Sequence, residues 1–293
     1  MVIKTFIEYI VEGGNVTIDG VKPEGFAVTH HNRESLQREI HHGLHEIHNL
    51  VHAKHGAEIF GHNAHALHNH SAYSGSTKHL MNKEISHEDF AKHKSNVGDV
   101  DVQVPHEHLD HISKVLQKGT KVGNFIVHGT KKIAGEVHAV LKHKQSGKYH
   151  QFDFEGTKYN KSSPSHFDRF SHSSDWEDTK AGFKGVHHKT LLNAVGGSKY
   201  KFSSMHGLGE RHDDKKKDSN WQTDLKKITH NLFGNSANEK DLHSFQGLTK
   251  LVKEHIPAKQ HQAIFDKFKD SLRGDSDNDK KALEHLKKNL HVS

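Results

Sequence analysis

Apolar side chains recur along this chain with two different periods. Between Arg33 and Lys54, Leu36, Ile40, Leu44, Ile47 and Val51 return every three or four residues, which predicts an amphipathic helix with one face on a core. Asn32 precedes the run and Gly56 follows it, residue types that suit a helix N-cap and a left-handed C-terminal stop. Between Val97 and Pro105 the period falls to two. Val100, Val102 and Val104 alternate with Asp99, Asp101 and Gln103, the pattern of a half-buried strand. Two β-like runs follow at 124–130 and 136–143. "YHQFDFEG" (149–156) predicts another strand, with Phe152 and Phe154 on one face and Asp153 and Glu155 on the other. Further helices are expected over 4–12, closed by Gly13 and Gly14 as a C-cap and turn, and over 88–93, 106–119 and 178–195.

The pattern changes at "GERHDDKKKDSN" (209–220), a charged, turn-rich stretch that reads as a linker. Beyond it the segments 221–232, 239–255, 257–272 and 279–290 all keep helical spacing. "SANE" (Ser236 to Glu239) reads as a capping box and Pro257 as a first-turn proline. The expected organisation is an α+β domain over 1–208, with a mixed sheet, flanking helices and an N-terminal helical extension. The linker 209–220 follows, then a small all-helical C-terminal domain over 221–293.

Composition narrows the chemistry. In 293 residues there are 34 His and no Cys, so disulfides, thiolate metal sites and Cys nucleophiles are excluded. The net charge of +6 suits an anionic partner. Nearly all of the 42 basic residues are Lys, so the bidentate Arg forks of a nucleic-acid polymerase groove are scarce. No run of about 18 apolar residues predicts a membrane span, and no membrane partner is expected. The opening "MVIKTFIEYIVEGG" is acidic at Glu8 and Glu12 and lacks the basic n-region of a signal peptide.

Asp99 and Asp101 pose a physical problem. Asp is a poor strand former, and like charges on one strand face repel. A solvated face of an antiparallel sheet is one answer; a bound cation is the other. If the strand 149–156 lies beside 97–105, Asp99, Asp101 and Asp153 converge on one spot. Oxygen ligands of that kind suit Mg²⁺ or Mn²⁺, and paired ions stabilise both oxygens of an in-line phosphoryl displacement. Upstream, "SAYSGSTKHL" (71–80) places Gly75 and Ser76 at a turn opening a helix, where backbone N–H groups can hold phosphate.

This order, a Gly-Ser turn, then Asp-x-Asp on a strand, then one Asp on a later strand, resembles the nucleotidyltransferase superfamily of DNA polymerase β, poly(A) polymerase and aminoglycoside-modifying transferases. It looks most like the nucleotidyltransferase-like proteins of tailed bacteriophages. The resemblance spans roughly residues 30–200, with an insertion within 81–95, because the interval from Ser76 to Asp99 is longer than the family's. It implies a nucleotidyltransferase-like fold, triphosphate contacts at Gly75 and Ser76, and metal ions on Asp99, Asp101 and Asp153. The implied reaction moves a nucleoside monophosphate from an NTP to an acceptor hydroxyl on RNA, protein or a small molecule. Lys184 shares a helix face with Lys180 and His188 and is the candidate cation for the triphosphate, against the plainer reading of solvated Lys. The alternative implied role is a phage virion or assembly protein that keeps an inactive fold as a scaffold for other virion proteins. The corresponding locations are the host cytoplasm and the virion.

His41, His45, His48, His52 and His55 fall at helical spacing, and pairs four apart can chelate Zn²⁺ or Ni²⁺. With His about one residue in nine, such spacing also arises by chance, and a solvated flank is the expectation for it, for "HNAHALHNH" and for "HHKTLLN". "GDSDNDKKALEHL" (274–286) begins like a calcium loop but has Lys280 where Gly belongs and Leu286 where the closing Glu belongs. It predicts an acidic helix N-terminus instead.

Overall fold

The structure, a computed structural model, describes residues 16–133, 135–157, 175–203, 207–211, 220–272 and 276–293. The helix expected over 4–12 and its Gly13–Gly14 stop lie outside these residues, as does most of the expected linker. The chain divides into two compact units, Met1–Asp168 and Arg169–Ser293. That division falls ahead of the charged stretch 209–220.

In the first unit, β1 (Phe26–Ala27) is followed by helix α1 (Arg33–His55), the short α2 (His65–His68), α3 (Gly75–Met81) and α4 (His87–His93). Then come β2 (Asn96–Val97), β3 (Val100–Pro105), α5 (Leu109–Val115), β4 (Lys121–Val122), β5 (Phe125–Ile133), β6 (Glu136–His143) and β7 (Tyr149–Thr157). β1 and β2 form a small antiparallel pair. The main sheet has the order β3-β7-β6-β5-β4, with β3 parallel to β7 and every other pairing antiparallel. This is the mixed sheet with flanking helices that the patterning predicts.

The apolar stripe of α1 makes it a core helix: Ile40, Leu44, Ile47 and Val51 are fully buried. α1 packs on α5 and β4, and Phe26, Phe125 and Phe152 meet edge to face beneath, with ring centroids 5.3–6.5 Å apart. Gly56 closes α1 in the left-handed conformation, as expected, and its N–H donates to His52 O. Asn32 does stand at the N-cap but makes no side-chain cap bond. Its Oδ1 accepts from Thr29 N and its Nδ2 donates to Ala27 O, so it fastens the approach to the helix.

Arg33 is the largest buried polar side chain. It is 0% exposed, and its guanidinium donates to the carbonyls of His79, Leu80, Asn82 and Ile85 while lying over the Phe90 ring. The last carbonyls of a helix have no intrahelical partner. Arg33 supplies donors to those of α3 and so fixes that helix from its C-terminal end. The stretch 81–95 carries α4, capped by Ser86 Oγ accepting from Asp89 N.

The second unit comprises α6 (Trp176–Ala181), α7 (Gly185–Gly196), β8 (Tyr200–Ser203), β9 (Gly207–Glu210), β10 (Trp221–Gln222), α8 (Leu225–Phe233), α9 (Phe245–His255), α10 (His261–Ser271) and α11 (Asp277–Leu290). It is not all helical, because β8, β9 and β10 form a three-stranded antiparallel sheet. The helix expected over 178–195 is two helices, broken where Gly182 takes φ +87°. Leu191, Leu248, Leu251, Phe268 and Leu286 are among the residues of its core. The cap expected at Ser236 falls at Asn238, whose Oδ1 accepts from Lys240 N in the turn before α9. α9 itself is capped by Ser244 Oγ accepting from Gly247 N, and the Asp178 carboxylate accepts from Phe245 N and Gln246 N beside it. The stretch after Ser276 is the acidic helix N-terminus predicted in place of a calcium loop, with Asp279 2.9 Å from His187.

Candidate metal centre

Strand pairing decides where the carboxylates go. β3 and β7 run parallel with Asp101 opposite Asp153, and β6 runs antiparallel to β7 with His138 opposite Asp153. Asp101, Asp153 and His138 therefore form one row across three strands. The next row along the same face is Gln103, Glu155 and Glu136. Asp99 lies just before β3, two residues from Asp101 and on its side of the strand. One oxygen of each of Asp99, Asp101 and Asp153 lies within 4.8 Å of the other two. The sequence singled out these three, and the fold brings them together.

The Gly-Ser turn comes to the same place. Residues 72–74 add a short extra edge to β3: Gln103 N donates to Ala72 O, Ser74 N donates to Asp101 O, and Tyr73 bridges Val102. The chain then turns at Gly75, with φ +53°, into α3. A Cβ at Gly75 would overlap Asp101 Oδ2, so the position needs glycine for both conformation and space. Thr77 Oγ1 locks the turn by donating to Asp99 O and accepting from Asp101 N. Ser76 is half-buried on the first turn of α3. Lys184 belongs to the second unit, at the N-cap of α7, where its N–H donates to His187 Nδ1.

Several residues of this centre were not singled out from the sequence. His138, 0% exposed, donates from Nδ1 to Asp153 Oδ1 at 2.8 Å, and its Nε2 lies 3.4 Å from Glu136 Oε2. Gln151 Nε2 donates to Asp153 Oδ2 at 2.7 Å, while Gln151 Oε1 accepts from Val16 N. Ser74 Oγ donates to Glu155 Oε2 at 2.9 Å. The signal for Glu136 and His138 was their shared strand face in "EVHAV", obscured in a chain that carries 34 histidines in all.

The electrostatics follow from burial and crowding. Burial, then the Asp153 carboxylate, pushes Asp99 up to about 7. Asp101 is held well above the usual carboxylate range by burial and by Asp99. Glu155 is pushed up to about 8 by burial and by Glu136. Burial alone would lower His138, but the hydrogen bond to Asp153 and the surrounding carboxylates overcome it and raise it. Ionising this face therefore requires positive charge to enter it. The donor set is all oxygen, and Asp99 and Asp101 are only half-buried, so a hard divalent cation fits its chemistry and has access.

No family model matches the chain, nor does any curated protein or solved structure. Among the described residues, no helix is long and apolar enough to cross a membrane.

Proposed function

We propose that the first unit is a nucleotidyltransferase that uses Mg²⁺ or Mn²⁺ to move a nucleoside monophosphate from an NTP to an acceptor hydroxyl. The observation that carries this reading is the packing of the Gly75 turn directly on Asp101, inside the carboxylate cluster. Triphosphate held at Gly75 and Ser76 would lie beside cations held by Asp99 and Asp101. Asp153 completes the ligand set, and His138 and Gln151 orient it. The cations supply charge stabilisation for the displacement; the residues of the chain position and neutralise. The proposed chemistry does not require Lys184.

A second reading is a phage virion or assembly protein with an inactive site of this type; the inactivity, not the virion role, is supported by one observation: both oxygens of Asp153 already accept hydrogen bonds, and His138 supplies a cationic group there. The test is incubation with labelled ATP, GTP, CTP and UTP, Mg²⁺ or Mn²⁺, and RNA, protein and small-molecule acceptors. Transfer by wild type that is lost in Asp101→Asn supports the enzyme. No transfer under any combination refutes it.

A further inference from the structure

We propose that His41, His45 and His68 form a second metal site, built from imidazole nitrogen and suited to a transition ion such as Zn²⁺. The sequence offered only pairs along one helix. The structure adds a third ring from a different element: His41 and His45 are one turn apart on α1, and His68 closes α2. Their ring centroids are 6.4 Å (His41–His45), 5.2 Å (His41–His68) and 5.8 Å (His45–His68) apart. Three imidazoles on one tetrahedral ion, with Zn–N about 2.0–2.1 Å and the ring centre about 1.2 Å beyond the nitrogen, have centroids about 5.2 Å apart. The backbone therefore already holds the rings near the required spacing.

The rings are not yet turned to one point. Among the described residues, the group of three or more His, Asp or Glu side chains whose donor atoms all lie within 4.8 Å of one another is Asp99, Asp101 and Asp153, not these histidines. Side-chain rotation has to complete the site, and the rings have room, since His68 is exposed and His41 and His45 are half-buried. The frame beneath does not have to move: Ile40, Leu44, Leu67 and Ala64 are fully buried. Asn63, Ala64 and His70 all take positive φ, conformations that fold the α2 segment back tightly and that non-glycine residues rarely adopt.

Asn49 Nδ2 lies 3.2 Å from His45 Nδ1 and contacts that ring from one turn further along α1. Imidazole sites prefer zinc and its neighbours, whereas the carboxylate cluster prefers Mg²⁺ or Mn²⁺. The two sites would thus be filled by different ions, and this one stands whether or not the nucleotidyltransferase reading does.

The test is calorimetric titration of untagged full-length protein with Zn²⁺ at neutral pH, followed by Co²⁺ substitution and visible absorption. Wild type should bind one equivalent at least about tenfold more tightly than any further Zn²⁺, and the Co²⁺ form should show the intense visible bands of four-coordination. His68→Gln and His41→Gln should each lose that tight equivalent and those bands. His31→Gln, an exposed histidine outside the cluster, and Asp101→Asn should keep both. The proposal is overturned if wild type shows no distinct tight equivalent, if His68→Gln retains it, or if Asp101→Asn abolishes it.

Discussion

Asp99→Asn removes one carboxylate from a crowded, half-buried cluster with little change of shape, and the structure predicts that it stabilises the metal-free protein at alkaline pH. The Asp99 carboxyl rises from its usual 3.8 to about 7 in the folded chain. At about 1.4 kcal/mol per pH unit separating the two values, full ionisation of Asp99 costs about 4 kcal/mol. Part of that repulsion is shared with Asp101 and Asp153, which brings the expected gain to about 2–4 kcal/mol. The sign is opposite to that of an ordinary salt-bridged carboxylate. A raised value means the folded state binds the proton more tightly, so the penalty is absent below about pH 3.8, grows between 3.8 and 7, and is complete above 7. Asparagine should therefore stabilise most at pH 8, about half as much at pH 5.5 and hardly at all at pH 4. The assay is urea or thermal unfolding across that range with chelator present, where about 2–4 kcal/mol corresponds to about 5–15 °C for a unit of this size. Comparing variant with wild type at each pH cancels the histidine titrations common to both. Added Mg²⁺ should raise wild-type stability at pH 8 and leave Asp99→Asn nearly unmoved. A gain that does not vary with pH, or a loss of stability at pH 8, would refute the reasoning.

Gly75→Ala should cost at least about 2 kcal/mol and weaken Mn²⁺ binding, because the new methyl overlaps Asp101 Oδ2 at a positive φ; unfolding and metal titration check it. Arg33→Met leaves the carbonyls of His79, Leu80, Asn82 and Ile85 without their buried donor and should destabilise by about 3–5 kcal/mol, measured by urea unfolding. Burial lowers His150 and His188 from 6.5 to about 4, so each should remove about 3 kcal/mol of stability as pH falls from 6.5 to 4. His150→Gln and His188→Gln should each flatten that acid limb in unfolding experiments.

What the sequence made legible was periodic. Alternation placed Asp101 on the polar face of β3, Asp99 on the same side just before it, and Asp153 on the polar face of β7, and the spacing of Leu36, Ile40, Leu44, Ile47 and Val51 located the core helix. Hidden from it were the features that depend on pairing between distant strands. Nothing local states that β3 lies parallel to β7 in a register that sets Asp101 against Asp153, or that His138 stands next in the row. Arg33 reads as an ordinary polar start to a helix until α3 and α4 close over it. Strands β8 and β9 escaped notice because each is four residues long and β9 contains two glycines. Glycine weakens the strand signal and makes such a run look like turn.

Charge balance connects the candidate centre to its chemistry. Asp99, Asp101, Asp153, Glu136 and Glu155 share one face with the single imidazole of His138. With all of them ionised the excess is four negative charges, the charge that two divalent ions neutralise. The metal-free protein meets this excess with protons, which is why Asp99, Asp101 and Glu155 all titrate late. On the proposed reading, a triphosphate approaching Gly75 would meet that excess head on, so cation binding would have to precede or accompany nucleotide binding. His138 offsets one charge beside Asp153, which is not enough to neutralise the row. An inactive scaffold would need only protons and His138, and Mg²⁺ would then add nothing to its stability at pH 8. A catalytic centre needs the protons replaced by ions at working pH, and its stability must rise with Mg²⁺ as pH rises.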